Sequence, residues 1–279
     1  MLRAIFRTIF CSLVFTSLAC GRSLPRVASL NVCTDQLLLQ LADPVQIVGL
    51  SSLAQDCWSS VLCEQSKNFP VLHPTAEAII AAHPDVLLGG EYMSANTVQA
   101  VREYGVKTIM LPPVNALDEI PSQIMTVADA IGASERGKQI VQAFVARLAQ
   151  LSSENNADDP TAAVYMANGF VTHAGSLPDD VIRHAGFRNY ATVIGYQSPT
   201  GIPLELLIAQ PPDLLILDRS GQGNSLAQSM LDHPALEETF SRKRRLDMPA
   251  RLWLCGLPQT LDAVSLLRGV RHQIKDPGP

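Results

Sequence analysis

Short aliphatic runs alternate along the chain with stretches whose apolar residues recur every three or four positions. Residues 26–31, 46–50, 85–89 and 106–111 are runs of the first kind, and 35–41 and 96–104 have the helical spacing. Aliphatic runs of this length, bounded by turn residues, predict strands buried on both faces. Their alternation with helices predicts a parallel sheet covered by helices. The second half repeats the scheme. Strands are predicted over 161–166, 213–217 and 251–255, and helices over 178–184, part of 226–240 and 261–274, with 186–197 irregular. Between the halves, Leu117, Ile120, Ile124, Val127 and Ile131 form one apolar stripe that ends at Gly132. A helix then runs from Ser134 to Leu151, about 27 Å at 1.5 Å per residue. The pattern predicts two α/β lobes with parallel sheets, joined by one long helix, with a cleft between them. The expected division is an N-terminal lobe over 22–132, a linking helix over 133–155 and a C-terminal lobe over 156–279.

One phrase occurs twice. Residues 77–89 and 205–217 coincide at an offset of 128 in Glu77/Glu205, Ile80/Ile208, Ala81/Ala209, Pro84/Pro212, Asp85/Asp213 and Leu87/Leu215. Each copy reads as a short helix opening on glutamate, a Pro-Asp break and a buried strand. A first-turn glutamate also complements the positive end of a helix, by about 0.3–1 kcal/mol. Capping explains a single copy. Two copies at matching places predict a pair of related lobes, each presenting one acid.

The N-terminus carries Arg3 and Arg7, an apolar run over 9–18 and the small residues 17–21, the layout of a secretory leader over 1–21. The run is too short to span a bilayer. The mature chain is therefore expected outside the cytoplasm, in a bacterium most simply in the periplasm. A lipid anchor at Cys20 is not the expectation, because Ser17 stands where an aliphatic residue usually precedes the modified cysteine. Loss of the two leader arginines leaves 19 Lys+Arg against 26 Asp+Glu, a net charge near −7. Such an acidic chain without basic clusters makes a poor nucleic-acid binder. The one basic knot, residues 242–245, reads as a solvated helix end. Cys33, Cys57, Cys63 and Cys255 remain after export and allow three pairings. Cys57 and Cys63 are the candidates for a local disulfide in an oxidising compartment.

A search for catalytic chemistry is negative. The chain has no Gly-x-Ser-x-Gly elbow and no phosphate-binding loop, and the Gly221-Gln-Gly223 segment lacks the third glycine of a dinucleotide site. The six histidines show no metal-ligand spacing, so neither a metal nor a cofactor is predicted. Binding fits better. Ligands of parallel α/β sheets sit beyond the carboxyl ends of the strands. Residues there include Asn31, Cys33, Ser51, Asp56, Trp58, Tyr92, Phe170, Tyr196, Arg219 and Trp253. The aromatics among them suit a large flat ligand. For Trp253, inside a predicted strand, a core position is the equal alternative.

The openings Arg-Val-Ala-Ser-Leu-Asn (26–31) and Gln-Ile-Val-Gly-Leu-Ser (46–51) precede the first Glu-x6-Pro-Asp. The second follows a long central helix, after Gly-Ile-Pro-Leu-Glu (201–205). In this order the motifs resemble the periplasmic substrate-binding proteins of ABC importers for cobalamin and ferric complexes, over roughly residues 25–274. The resemblance implies Rossmann-like lobes bridged by a rigid helix, small lobe motions and cargo held between the lobes. It implies that Glu77 and Glu205 dock on arginines of a membrane permease dimer. The cargo it implies is a ferric siderophore, haem or a corrinoid. Tyr92 or His173 would be the candidate iron ligand for haem, and Arg219 and Arg188 the candidate partners of a siderophore. An exported hydrolase or chelatase on a similar scaffold is the alternative, and capture of bare metal by scattered His and Asp a third reading.

Overall fold

The computed structural model describes residues 24–153, 156–196, 201–219 and 226–275. The leader with Cys20, and the Gly221–Gly223 segment, lie outside the described residues. Among the described residues no helix is long and apolar enough to cross a membrane.

Two four-stranded parallel sheets form the two lobes. The first contains β1 (Val27–Ser29), β2 (Ile47–Gly49), β3 (Val86–Gly90) and β4 (Lys107–Leu111), in the order β2-β1-β3-β4. The second contains β5 (Thr161–Met166), β6 (Arg188–Asn189), β7 (Leu214–Asp218) and β8 (Arg245–Met248), in the order β6-β5-β7-β8. The orders match strand for strand, so β3 and β7, the strands of the duplicated phrase, hold the same place. Both are buried nearly throughout, which is why they read as continuous aliphatic runs rather than alternating ones.

The Pro-Asp of the phrase has a structural reason in both copies. Asp85 accepts a hydrogen bond from the Arg26 backbone N–H at 2.7 Å, just before β1. Asp213 accepts one from the Thr161 N–H at 2.7 Å, at the start of β5. Each carboxylate thus pins the amino end of the neighbouring strand, which a reading of Pro-Asp as a helix stop did not anticipate.

The linking helix, Ser134–Leu151, packs on the helix Ile120–Ile131. Gly137 permits the approach, since a Cβ there would lie 2.6 Å from the Ala128 Cβ. One buried cluster runs from Leu38 and Val86 through Ile124 and Phe144 to Val164, Ile216 and Leu261, joining both lobes around this helix. A second, with Tyr165, Tyr190, Leu207 and Phe240, covers the other face of the second sheet.

The expected strand over 251–255 is not formed. The edge strand is β8, and residues 250–252 form a single tight helical turn. In β8, Met248 is buried, while Arg245 pairs with Glu237 and Asp247 with Arg219. Two charged residues on its outer face hid this strand, and the more apolar Leu252–Cys255 drew the assignment instead. The basic knot before it is a tight turn rather than a helix end. Arg244 donates to the carbonyls of Asp213 and Pro212. Residues 186–197, expected to be irregular, supply β6 and a short helix, Tyr190–Val193.

Candidate functional site

The carboxyl ends of the two sheets face one another. Cys33, just beyond β1, is disulfide-bonded to Cys255, just beyond β8. Gln36 donates to the Cys255 sulfur at 3.7 Å, and Arg251 donates to the Cys57 carbonyl at 3.2 Å across the same gap. The second disulfide is Cys57–Cys63, the local pair expected from spacing. Cys33 therefore contributes a lobe-to-lobe bridge, not a thiol for a ligand.

The helix after β1, Val32–Leu41, organises the floor of the first lobe. Asn31 caps it, accepting from the Cys33 and Thr34 N–H groups at 2.9 and 3.4 Å. The Asn31 amide also explains Gly90, where a Cβ would stand 2.8 Å from the Asn31 Nδ2. Asp35 is fully buried and receives the Ser51 hydroxyl at 2.5 Å. Burial pushes the Asp35 carboxyl up to about 7, against the opposing effect of hydrogen bonds from Ser29 and Ser51. Gln36 accepts the Val61 N–H at 2.8 Å, so Asp35 and Gln36 hold both ends of the loop that carries Trp58. Within the loop, Asp56 accepts from the Trp58 N–H at 3.1 Å and the Ser59 hydroxyl at 2.8 Å. Asn31, Ser51 and Asp56 are thus engaged in shaping the rim.

Large apolar side chains stand exposed on that rim. Trp58 is 47% exposed, Tyr92 85%, Phe170 45% and Leu254 51%. All four lie in segments beyond the carboxyl ends of strands, which makes them the candidates for an apolar binding surface. Leu254 went unseen in the sequence because residues 251–255 read as strand. Asp35 and Gln36 were also missed, although an acid and an amide inside an otherwise apolar helix signal buried polar roles.

Four expected contacts sit differently. Trp253 is buried and belongs to the core, its indole N–H donating to Asp218 at 2.9 Å. Tyr196 packs against the second cluster with its hydroxyl donating to the Gly201 carbonyl, away from an open wall. Arg219 is held between Asp232 and Asp247, each at 2.8 Å. Arg188 donates to the Asp159 carbonyl at the amino end of β6 and so stands away from the rim. The sulfurs of Cys57 and Cys63 lie close to the Glu64 carboxylate, but the disulfide takes both sulfurs out of metal chemistry.

Glu77 and Glu205 occupy equivalent places. Each is exposed in the first turn of a short helix, Ala76–Ala81 or Leu204–Ala209, that feeds the central strand of its sheet. Such a helix runs back along the sheet, so its first turn stands on the carboxyl-end side. Local contacts agree. Leu72 donates to Leu50 beyond β2, and Ile202 to Gly169 beyond β5. Neither glutamate joins an ion pair among the described residues.

Comparison with known proteins places this geometry. A cobalamin-binding protein of Halobacterium salinarum is 20% identical over 214 residues, which are 75% of this chain and 58% of the relative. The chain thus spans under two thirds of that relative's length. Among solved structures, the apo periplasmic heme-binding protein RhuT from Roseiflexus sp. RS-1 superposes with a TM-score of 0.73 at 24% identity, covering 89% of this chain and 98% of that one. The vitamin B12-binding protein BtuF of Vibrio cholerae gives a TM-score of 0.66 at 16% identity, covering 90% and 98%. These likenesses establish the two-lobed fold. Residues 27–245 match the periplasmic binding protein family, and the chain belongs to it.

Proposed function

We propose that the chain is the extracytoplasmic binding component of an ABC importer and delivers an iron complex or a corrinoid to a permease dimer in the inner membrane. Its cargo lies between the lobes, against Trp58, Tyr92, Phe170 and Leu254. The observation that carries this reading is the matched pair of exposed carboxylates, Glu77 and Glu205, on equivalent helices of two lobes with the same strand order. A pseudo-symmetric pair of acids suits a two-fold partner bearing arginines, because charge-assisted pairs fix orientation and speed encounter. Export by the 1–21 leader puts the protein in the compartment where such cargo is met. Membership in a family of binding proteins leaves the hydrolase and chelatase alternatives without support.

The absorption spectrum of protein purified from its native periplasm tests the reading. A corrin spectrum, a Soret band or a broad ferric charge-transfer band is expected. Protein that carries no chromophore and takes up none of these ligand classes would contradict it.

A further inference from the structure

We infer that the second lobe carries a further binding site, away from the cleft, for a monocarboxylate with an apolar body, anchored at its acid end by Arg188. The site is a cavity of about 340 Å³ beside β6, at the free edge of the second sheet. The helix Leu177–His184 supplies one wall and the short helix Tyr190–Val193 another. Its described lining residues all lie between 174 and 193, so the site belongs to one lobe and does not depend on the cargo reading.

Most polar groups of the lining are already engaged with one another. Asp179, its one acid, accepts from the Gly175 N–H at 3.0 Å and the Asn189 amide at 2.8 Å, and pairs with Arg183 at 3.4 Å. Asn189 also donates to the Thr172 carbonyl at 3.1 Å and accepts from the Ala191 N–H at 3.0 Å. Arg188 differs. It is half-buried, its Nε donates to the neutral Asp159 carbonyl at 2.8 Å, and it enters no ion pair among the described residues. Its charge is therefore unmatched. The buried Phe187 and the exposed Val193 add apolar surface around it. The planar fork of an arginine suits a carboxylate, and a charge-assisted bond is about twice as strong as a neutral one. One open cation set among apolar walls thus calls for a single acid group on an apolar body. At about 30 Å³ per water the cavity equals roughly eleven waters, which limits the ligand to about ten non-hydrogen atoms.

The test is calorimetric titration of the intact mature protein with octanoate and 3-phenylpropionate, with 3-phenylpropanamide as the uncharged control. Both acids are expected to bind, and the amide at least roughly tenfold more weakly, because it forfeits the charge-assisted pair. Arg188→Gln, which keeps a donor for the Asp159 carbonyl, is expected to weaken both acids at least about tenfold and to leave the amide unchanged. Val193→Asp sets a like charge at the mouth and is expected to weaken the acids as well, which keeps the site testable if Arg188→Gln fails to fold. No binding of either acid, equal binding of acid and amide, or acid affinity indifferent to these substitutions overturns the site. The cargo reading stands or falls separately, on the absorption spectrum.

Discussion

Cys33, in the first turn of the helix after β1, is bonded to Cys255, 222 residues later, in the segment after β8. The lobes are therefore tied twice, through the linking helix and covalently on the cleft side. Two ties at separate places restrict rotation about either one.

The two disulfides differ in the length of chain they close, 222 residues against 6. The loop-entropy relation gives about 5 kcal/mol for the first and about 2 kcal/mol for the second. In denaturant unfolding, Cys33→Ser with Cys255→Ser is expected to lose more stability than Cys57→Ser with Cys63→Ser. The reverse order would mean that the interlobe bond strains the native state.

Asp35 makes stability depend on pH. Its carboxyl is raised from 3.8 to about 7, so the folded protein holds more protons than the unfolded chain between those values. The stabilisation is full below 3.8 and is lost as pH rises through 7. Asp35→Asn is thus expected to be more stable than the parent at pH 8, by up to about 4 kcal/mol, and to lose that advantage progressively toward pH 4. Urea unfolding of both proteins across this range checks it. Parallel stability curves would show that Asp35 is ionised in the fold.

Trp58 and Trp253 separate wall from core. Trp58→Ala removes an exposed ring and is expected to weaken cargo binding roughly 10–100-fold with little change in stability. Trp253→Phe removes the hydrogen bond to Asp218 and is expected to cost about 1–3 kcal/mol of stability with affinity nearly unchanged. Calorimetric titration and thermal unfolding of the two variants give both readouts. A stability loss at Trp58, or an affinity loss at Trp253, would reverse the assignment.

Much of the architecture was legible because buried strands and amphipathic helices impose periodicity on a sequence. The duplicated phrase exposed the lobe symmetry, and the linking helix runs over the residues expected. The rim was legible only in part, because loop side chains answer to distant neighbours. Trp253 and Cys255 follow an edge strand whose charges concealed it. The partner of Cys33 lies 222 residues away, and Arg219 is neutralised by acids 13 and 28 positions on. No local pattern records such pairings.

Glu77 and Glu205 bear the central claim, that a partner is met at the rim while cargo is held in the cleft. The most direct measurement pairs cargo affinity with uptake for Glu77→Ala combined with Glu205→Ala. Affinity is expected to stay within about twofold of the parent while uptake is abolished, since exposed rim charges act on the encounter with a partner. Uptake that survives the double substitution, or a loss of affinity that accounts for lost uptake, would contradict the account.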